Sequence, residues 1–144
     1  MANAFSEFGF SAEIIKGINE LNFSVPTEIQ QKAIPVLLGK TDDFVGLAKT
    51  GTGKTAAFGL PLLQLIDAEN AKIQAIILIP TRELGHQIYD NLVAFAKFTP
   101  TISIASTCGG IPIKPQIERL SQGAHIVVAT PGRLIDLIKR QAIN

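Results

Sequence analysis

The chain is 144 residues long and carries 13 Lys and Arg against 12 Asp and Glu, a formal net charge of +1. That length suits one domain rather than two of ordinary size, and 47% apolar with 17% charged residues excludes a disordered tail. Balanced charge also removes the simplest argument for nucleic-acid binding, a field of lysines spread over the surface.

In chain order, Ser11 is placed to cap a first helix, with Glu13 in its opening turn and Ile14, Ile15, Ile18 and Leu21 along one stripe. Thr27 followed by Gln30 has capping-box spacing at the start of a second helix, which Gly39 ends and Pro35 should kink or interrupt. The sequence therefore divides into a helical segment at 1–39 and a core at 40–144, both within one domain. The core alternates strands and helices. A strand at Phe44–Ala48 leads into a helix at Thr55–Ile66. A strand at Ala75–Ile79 is followed by a helical face of Leu84, Ile88, Leu92 and Phe95. A strand at Ile102–Thr107 precedes a short helix at Gln116–Leu120, and a strand at Ile126–Ala129 precedes a helix marked by Leu134, Leu137 and Ile138. Such alternation predicts right-handed crossovers and an open α/β sheet.

The longest apolar run, Ala75–Ile79, is far short of the roughly 20 residues a membrane helix needs. The opening MANAFSEFGF lacks the basic flank and long apolar stretch of an export signal. One cysteine, Cys108, forbids an internal disulfide and fits a reducing compartment, the cytoplasm. It reads as a small buried filler, and His86 and His125 lack metal-ligand spacing.

The most specific signal is Ala48-Lys49-Thr50-Gly51-Thr52-Gly53-Lys54-Thr55. It follows a predicted strand and opens a predicted helix, the setting a phosphate-binding loop requires. Gly51 and Gly53 let backbone N–H groups turn inward, and the helix start points its positive end at the same place. Lys54 reaches the β- and γ-phosphates of a triphosphate, and the Thr55 hydroxyl holds Mg²⁺. The strict pattern has Gly where Ala48 stands. Lys49 either supports the phosphates or is simply solvated. A hydrolytic site also needs a carboxylate at the end of another buried strand. No Asp or Glu stands directly behind an apolar strand run, since the runs end at Pro80, Thr107 and Thr130.

With these motifs in hand, the chain resembles the first half of a DEAD-box RNA helicase. Phe23-Ser24-Val25-Pro26-Thr27-Glu28-Ile29-Gln30 is similar to the Q motif of that family, and Phe5 to the aromatic residue placed upstream of it. Ala48 to Thr55 resembles motif I, Pro80-Thr81-Arg82-Glu83-Leu84-Gly85 motif Ia, Gly109-Gly110 the GG motif, and Thr130-Pro131-Gly132-Arg133 motif Ib. The chain departs from the family pattern at Asn22 (usually Gly), Glu28 (often Pro), Lys49 (usually Gln) and Gly85 (usually Ala). Thr41 and Asp42 resemble a small insertion.

The resemblance implies a doubly wound, RecA-like P-loop fold: an open parallel α/β sheet with helices on both faces, incomplete at its C-terminal end. It implies ATP and Mg²⁺ as cofactors and an ATP-dependent RNA helicase as the whole enzyme, with Lys54 and Thr55 in the catalytic roles. Phe5, Phe23, Thr27 and Gln30 would hold the adenosine side, where the Gln30 carboxamide reads adenine. The alternative is that Gln30 merely completes the helix cap with Thr27. Pro80, Thr81, Arg82, Glu83, Gly109, Gly110, Thr130, Pro131, Gly132 and Arg133 would face RNA. Thr81 and Thr130 act there as anion-facing helix starts or as caps alone, Arg82 as a phosphate ligand or as the partner of a nearby carboxylate, and Arg133 as a phosphate ligand. Such a grip on sugar and phosphate predicts little sequence specificity. The family's Asp-Glu-Ala-Asp motif and second lobe lie beyond Asn144. The expectation is a fragment that holds nucleotide weakly without turnover, lacks a second RecA-like domain as partner, and self-associates through an exposed sheet edge.

Overall fold

The computed structural model describes residues 3–39 and 43–143, so the Thr41–Asp42 insertion lies outside the described residues. Helices are α1 (Ala12–Glu20), α2 (Glu28–Gly39), α3 (Lys54–Leu65), α4 (Arg82–Phe95), α5 (Lys114–Ser121) and α6 (Pro131–Lys139). Strands are β1 (Ala75–Leu78), β2 (Ile104–Thr107) and β3 (Ile126–Ala129), and a 3₁₀ turn spans Ala4–Phe8. Two compact units emerge. One holds residues 1–66 and 94–100, the other 67–93 and 101–144, so the phosphate loop and α3 group with the N-terminal helices.

In the first unit Ser11 caps α1, its hydroxyl accepting the Ile14 N–H at 3.3 Å. Ile14 and Ile18 are buried on the apolar stripe, as the spacing predicts. Gly17 sits so close to the Phe95 carbonyl that a Cβ there would stand 2.5 Å from it. Phe5 is 1% exposed, its ring packed against Phe8 and Phe23, and Phe23 in turn meets Phe95. The helix α2 runs through Pro35 as one element, so the expected interruption does not occur. Asn22 has φ +60°, the left-handed conformation that explains why the family pattern has glycine here; asparagine is among the side chains that tolerate it best.

The second unit is built on a parallel sheet ordered β1-β3-β2. Ala75 stands opposite Ile126 on one side of β3, and Ile104 opposite Ile126 on the other. All four residues of the central strand are buried, which is why the sequence reads there as an unbroken apolar run. On one face, Val127 and Ala129 pack with Ala105, Leu120, Leu137 and Ile143, supported by Ile113, Ile117 and Leu134 of α5, α6 and their approaches. The edge strand β1 alternates half-buried and exposed residues, with Ile76 and Leu78 open.

One expected strand is absent. Phe44–Ala48 forms no ladder among the described residues, and Val45 and Leu47 are 87% and 92% exposed. Its largely apolar run suits a buried strand, yet a strand exists only when a neighbour pairs with its N–H and C=O groups. The other strands begin or end within two residues of expectation. The short helix after β2 starts earlier, at Lys114, because Pro115 sits comfortably in a first turn.

Candidate nucleotide site and anion-facing loops

In the first unit, Gly51 and Gly53 both adopt left-handed φ, +81° and +83°. Gly53 is the N-cap of α3, and no side chain caps that helix. Its first N–H groups are therefore orphaned, and together with the helix dipole they form a donor cradle for an anion. The loop is folded on itself. The Thr52 hydroxyl donates to the Lys49 carbonyl at 2.6 Å, and the exposed Lys54 ammonium donates to the Ala48 carbonyl at 2.8 Å. Thr50 and Lys49 are exposed, Ala48 is half-buried, and Thr55 sits half-buried in the first turn of α3.

The Q-motif residues are fastened to this loop. Gln30 is 3% exposed; its Oε1 accepts the Thr27 N–H at 2.9 Å and its Nε2 donates to the Gly53 carbonyl at 3.1 Å. A Cβ on Gly53 would collide with that amide nitrogen. The Thr27 hydroxyl donates to the Thr52 carbonyl at 2.8 Å. Half of the expected capping box is thus made, by Gln30. The other half is not made; the threonine hydroxyl is turned to the loop carbonyl instead. A carboxamide has two donors and two acceptor sites, so Gln30 keeps one of each beyond these bonds. The expected cap and an adenine contact would share these two atoms but use different lone pairs and hydrogens. Phe5 lies in the aromatic core described above, and Phe23 is half-buried beside it.

In the second unit the Ia, GG and Ib segments converge. Thr81 caps α4, accepting the Leu84 N–H at 3.3 Å. Thr130 precedes α6 but makes no cap; its hydroxyl accepts the Gly109 N–H at 2.9 Å. Arg82 donates to the Gly110 carbonyl at 3.3 Å and lies 3.7 Å from Glu83, both exposed. Gly110 has φ +84°, and a Cβ there would press on the Arg82 guanidinium at 3.0 Å. Arg133 donates to the Ile111 carbonyl at 2.8 Å and to Gln116 Oε1 at 2.5 Å. Pro80, Pro131 and Gly132 are exposed at the same strand ends, and nothing stands within 4 Å of a Cβ on Gly132. Cys108 is buried against Gly85, where a Cβ would meet its Sγ at 2.5 Å. This close fit accounts for glycine at the position where the family pattern has alanine. The sequence reading missed Gln116, whose only signal was a lone amide in a short amphipathic helix.

The geometry has counterparts among known proteins. The DEAD/DEAH box helicase family matches residues 27–144. The chain is 48% identical to the DEAD-box ATP-dependent RNA helicase CshA of Streptococcus pneumoniae over 97% of its own length and 26% of that protein's. With the ATP-dependent RNA helicase DeaD of Escherichia coli it shares 41% identity over 97% of itself and 22% of that protein. Among solved structures, a DEAD box protein from Methanococcus jannaschii superposes with a TM-score of 0.90 at 44% identity, covering 97% of this chain and 38% of that one. Saccharomyces cerevisiae Dbp5 bound to RNA and ADP BeF3 gives 0.87 at 35% identity, covering 99% and 36%. The chain spans about a quarter of the length of the curated relatives it matches.

Proposed function

Because the chain belongs to the DEAD/DEAH box helicase family, we propose that it is the ATP- and RNA-gripping part of an ATP-dependent RNA helicase, resident in the cytoplasm. The observation that carries this reading is the uncapped start of α3 behind Gly51 and Gly53, with Gln30 anchored on the Gly53 carbonyl.

The residues present fit a nucleotide triphosphate. The N–H groups at the start of α3 receive the phosphates. Lys54 exchanges the Ala48 carbonyl for phosphate oxygen, a change favoured because a charge-assisted bond to an anion exceeds one to a neutral carbonyl. The Thr55 hydroxyl is the Mg²⁺ ligand this chain supplies, and Mg²⁺ when bound offsets the charge that develops on the phosphates. The free donor and acceptor of Gln30 select adenine over guanine, whose edge presents the reverse pattern. In the second unit, Thr81, Arg82, Gly109, Gly110, Thr130 and Arg133 hold the sugar–phosphate backbone of RNA. Their donors address phosphate rather than base edges, so the grip is largely independent of sequence. Closure with a second RecA-like lobe completes the nucleotide site in the whole protein. This chain by itself binds nucleotide weakly and does not turn it over.

The test is nucleotide binding and ATP turnover by the chain, with and without single-stranded RNA. Binding without turnover is expected, and Lys54→Ala should weaken ATP by at least about tenfold. Turnover equal to that of a full-length relative would overturn the inactive reading. ATP affinity indifferent to Lys54→Ala would overturn the nucleotide site itself.

A further inference from the structure

The loop after β2 is held in an unusual way: four consecutive residues each have a backbone group bound by a side chain from elsewhere in the second unit. The Cys108 carbonyl accepts from Gln116 Nε2 at 2.9 Å, and the Gly109 N–H donates to Thr130 Oγ1. The carbonyls of Gly110 and Ile111 accept from Arg82 and Arg133. Three of these side chains belong to motifs the sequence already singled out. The fourth, Gln116, does not, yet it is the one that also binds another of the four, Arg133. It lies on α5, is 5% exposed, and spends its donor on the Cys108 carbonyl while its oxygen receives Arg133.

We propose that Gln116, itself anchored on the Cys108 carbonyl, is a positioning residue for the RNA grip that fixes the Arg133 guanidinium; this rests on the reading of Arg133 as a phosphate ligand. A guanidinium has five donors. With one nitrogen on Gln116 and the other on Ile111, its plane is set and its remaining donors face a defined direction. A buried amide suits this role because it satisfies a carbonyl and a cation at once without adding a negative charge that would compete with phosphate.

The experiment is a double-mutant cycle on the full chain, read by anisotropy of a fluorescein-labelled single-stranded oligouridylate across a salt series. Arg133→Ala tests the underlying reading: it should weaken binding and flatten the log–log salt slope by about 0.7, the loss of one phosphate contact. Gln116→Met should weaken binding by about 3- to 10-fold. In the Arg133→Ala background it should change affinity by less than about 2-fold, since both act through one contact. An equal loss in both backgrounds, or no loss in either, overturns the positioning role while leaving the reading of Arg133 intact. Unchanged binding in Arg133→Ala, or no RNA binding by the unsubstituted chain, overturns the reading and the inference together. A readout free of RNA stands beside these. The Arg133 Nη1 and Nη2 nitrogens should give separate NMR signals in the unsubstituted chain and in Gln116→Glu, which keeps an acceptor, and should merge in Gln116→Met. Separate signals in Gln116→Met would also overturn the proposal.

Discussion

Replacing Gly85 by alanine sets two effects of comparable size against each other. Gly85 lies inside α4, where alanine is favoured over glycine by about 1 kcal/mol from helix propensity alone, and alanine is what the family pattern has. Packing argues the other way. A Cβ at Gly85 would stand 2.5 Å from Cys108 Sγ and 2.7 Å from Ile79 Cδ1. Cys108 is 1% exposed and Ile79 4%, so neither can turn out to solvent. The end of Ile79 has a torsion with which to yield, whereas the thiol moves only by rotating about one bond or by shifting its backbone. Overpacking of this kind costs about 1–3 kcal/mol. The balance is a net loss of about 1 kcal/mol for Gly85→Ala. Cys108→Ala alone should also cost about 1 kcal/mol by leaving the space of a sulfur empty. In the double variant the new Cβ occupies that space. The chain should then return to within about 0.5 kcal/mol of its starting stability, or exceed it, giving a coupling of about 1–2 kcal/mol. Urea unfolding of the four chains, with the slope checked for constancy, measures this directly. Gly85→Ala more stable than the unsubstituted chain by the full propensity gain would refute the packing argument.

Two further outcomes can be checked. Gln30→Ala removes an acceptor from the Thr27 N–H and a donor from the Gly53 carbonyl, and should cost about 1–2 kcal/mol in stability. It should also abolish preference for ATP over GTP, measured by displacement of a fluorescent nucleotide; a preserved preference would remove Gln30 from the base site. The outer edge of β1, with Ile76 and Leu78 exposed, should drive self-association at high concentration, and Ile76→Lys should suppress it. Light scattering that shows a monomer throughout would sink that expectation.

How much of this was legible in the sequence depends on the range of the forces involved. The strand β3 was read to the residue because both its faces are buried and its apolar run is continuous. Ser11 as a cap, and the start of α3 to within one residue, were legible because capping and glycine turns are local. Phe44–Ala48 was misread for the opposite reason: pairing is a property of two segments, and composition shows only one of them. Thr27 illustrates a subtler case. Its spacing to Gln30 marks a capping box, but its hydroxyl was taken by the carbonyl of Thr52, 25 residues away. Gln116 was invisible because its bonds run to Cys108 and Arg133, 8 and 17 residues distant, and nothing in its own neighbourhood signals them.

The near-neutral charge and the proposed grip on a polyanion are reconciled by how the two arginines are held. A free arginine side chain loses about 2 kcal/mol of rotamer entropy when it is fixed, and a surface of mobile cations meets that loss once for every contact made. Here Arg133 is already held by the Ile111 carbonyl and Gln116, and Arg82 more loosely by the Gly110 carbonyl, so part of the ordering is completed in folding rather than in binding. Each guanidinium keeps donors beyond those bonds. The same carbonyl contacts fix the loop that carries the Gly109 and Gly110 amides, so cations and backbone donors are registered to one another. In the proposed grip a few ordered donors would do what a basic field does by number. Such a grip predicts a shallow salt dependence, because few counterions would be displaced. Lysine does not substitute in this arrangement: its ammonium lacks the planar fork needed to hold two partners in plane while still presenting further donors.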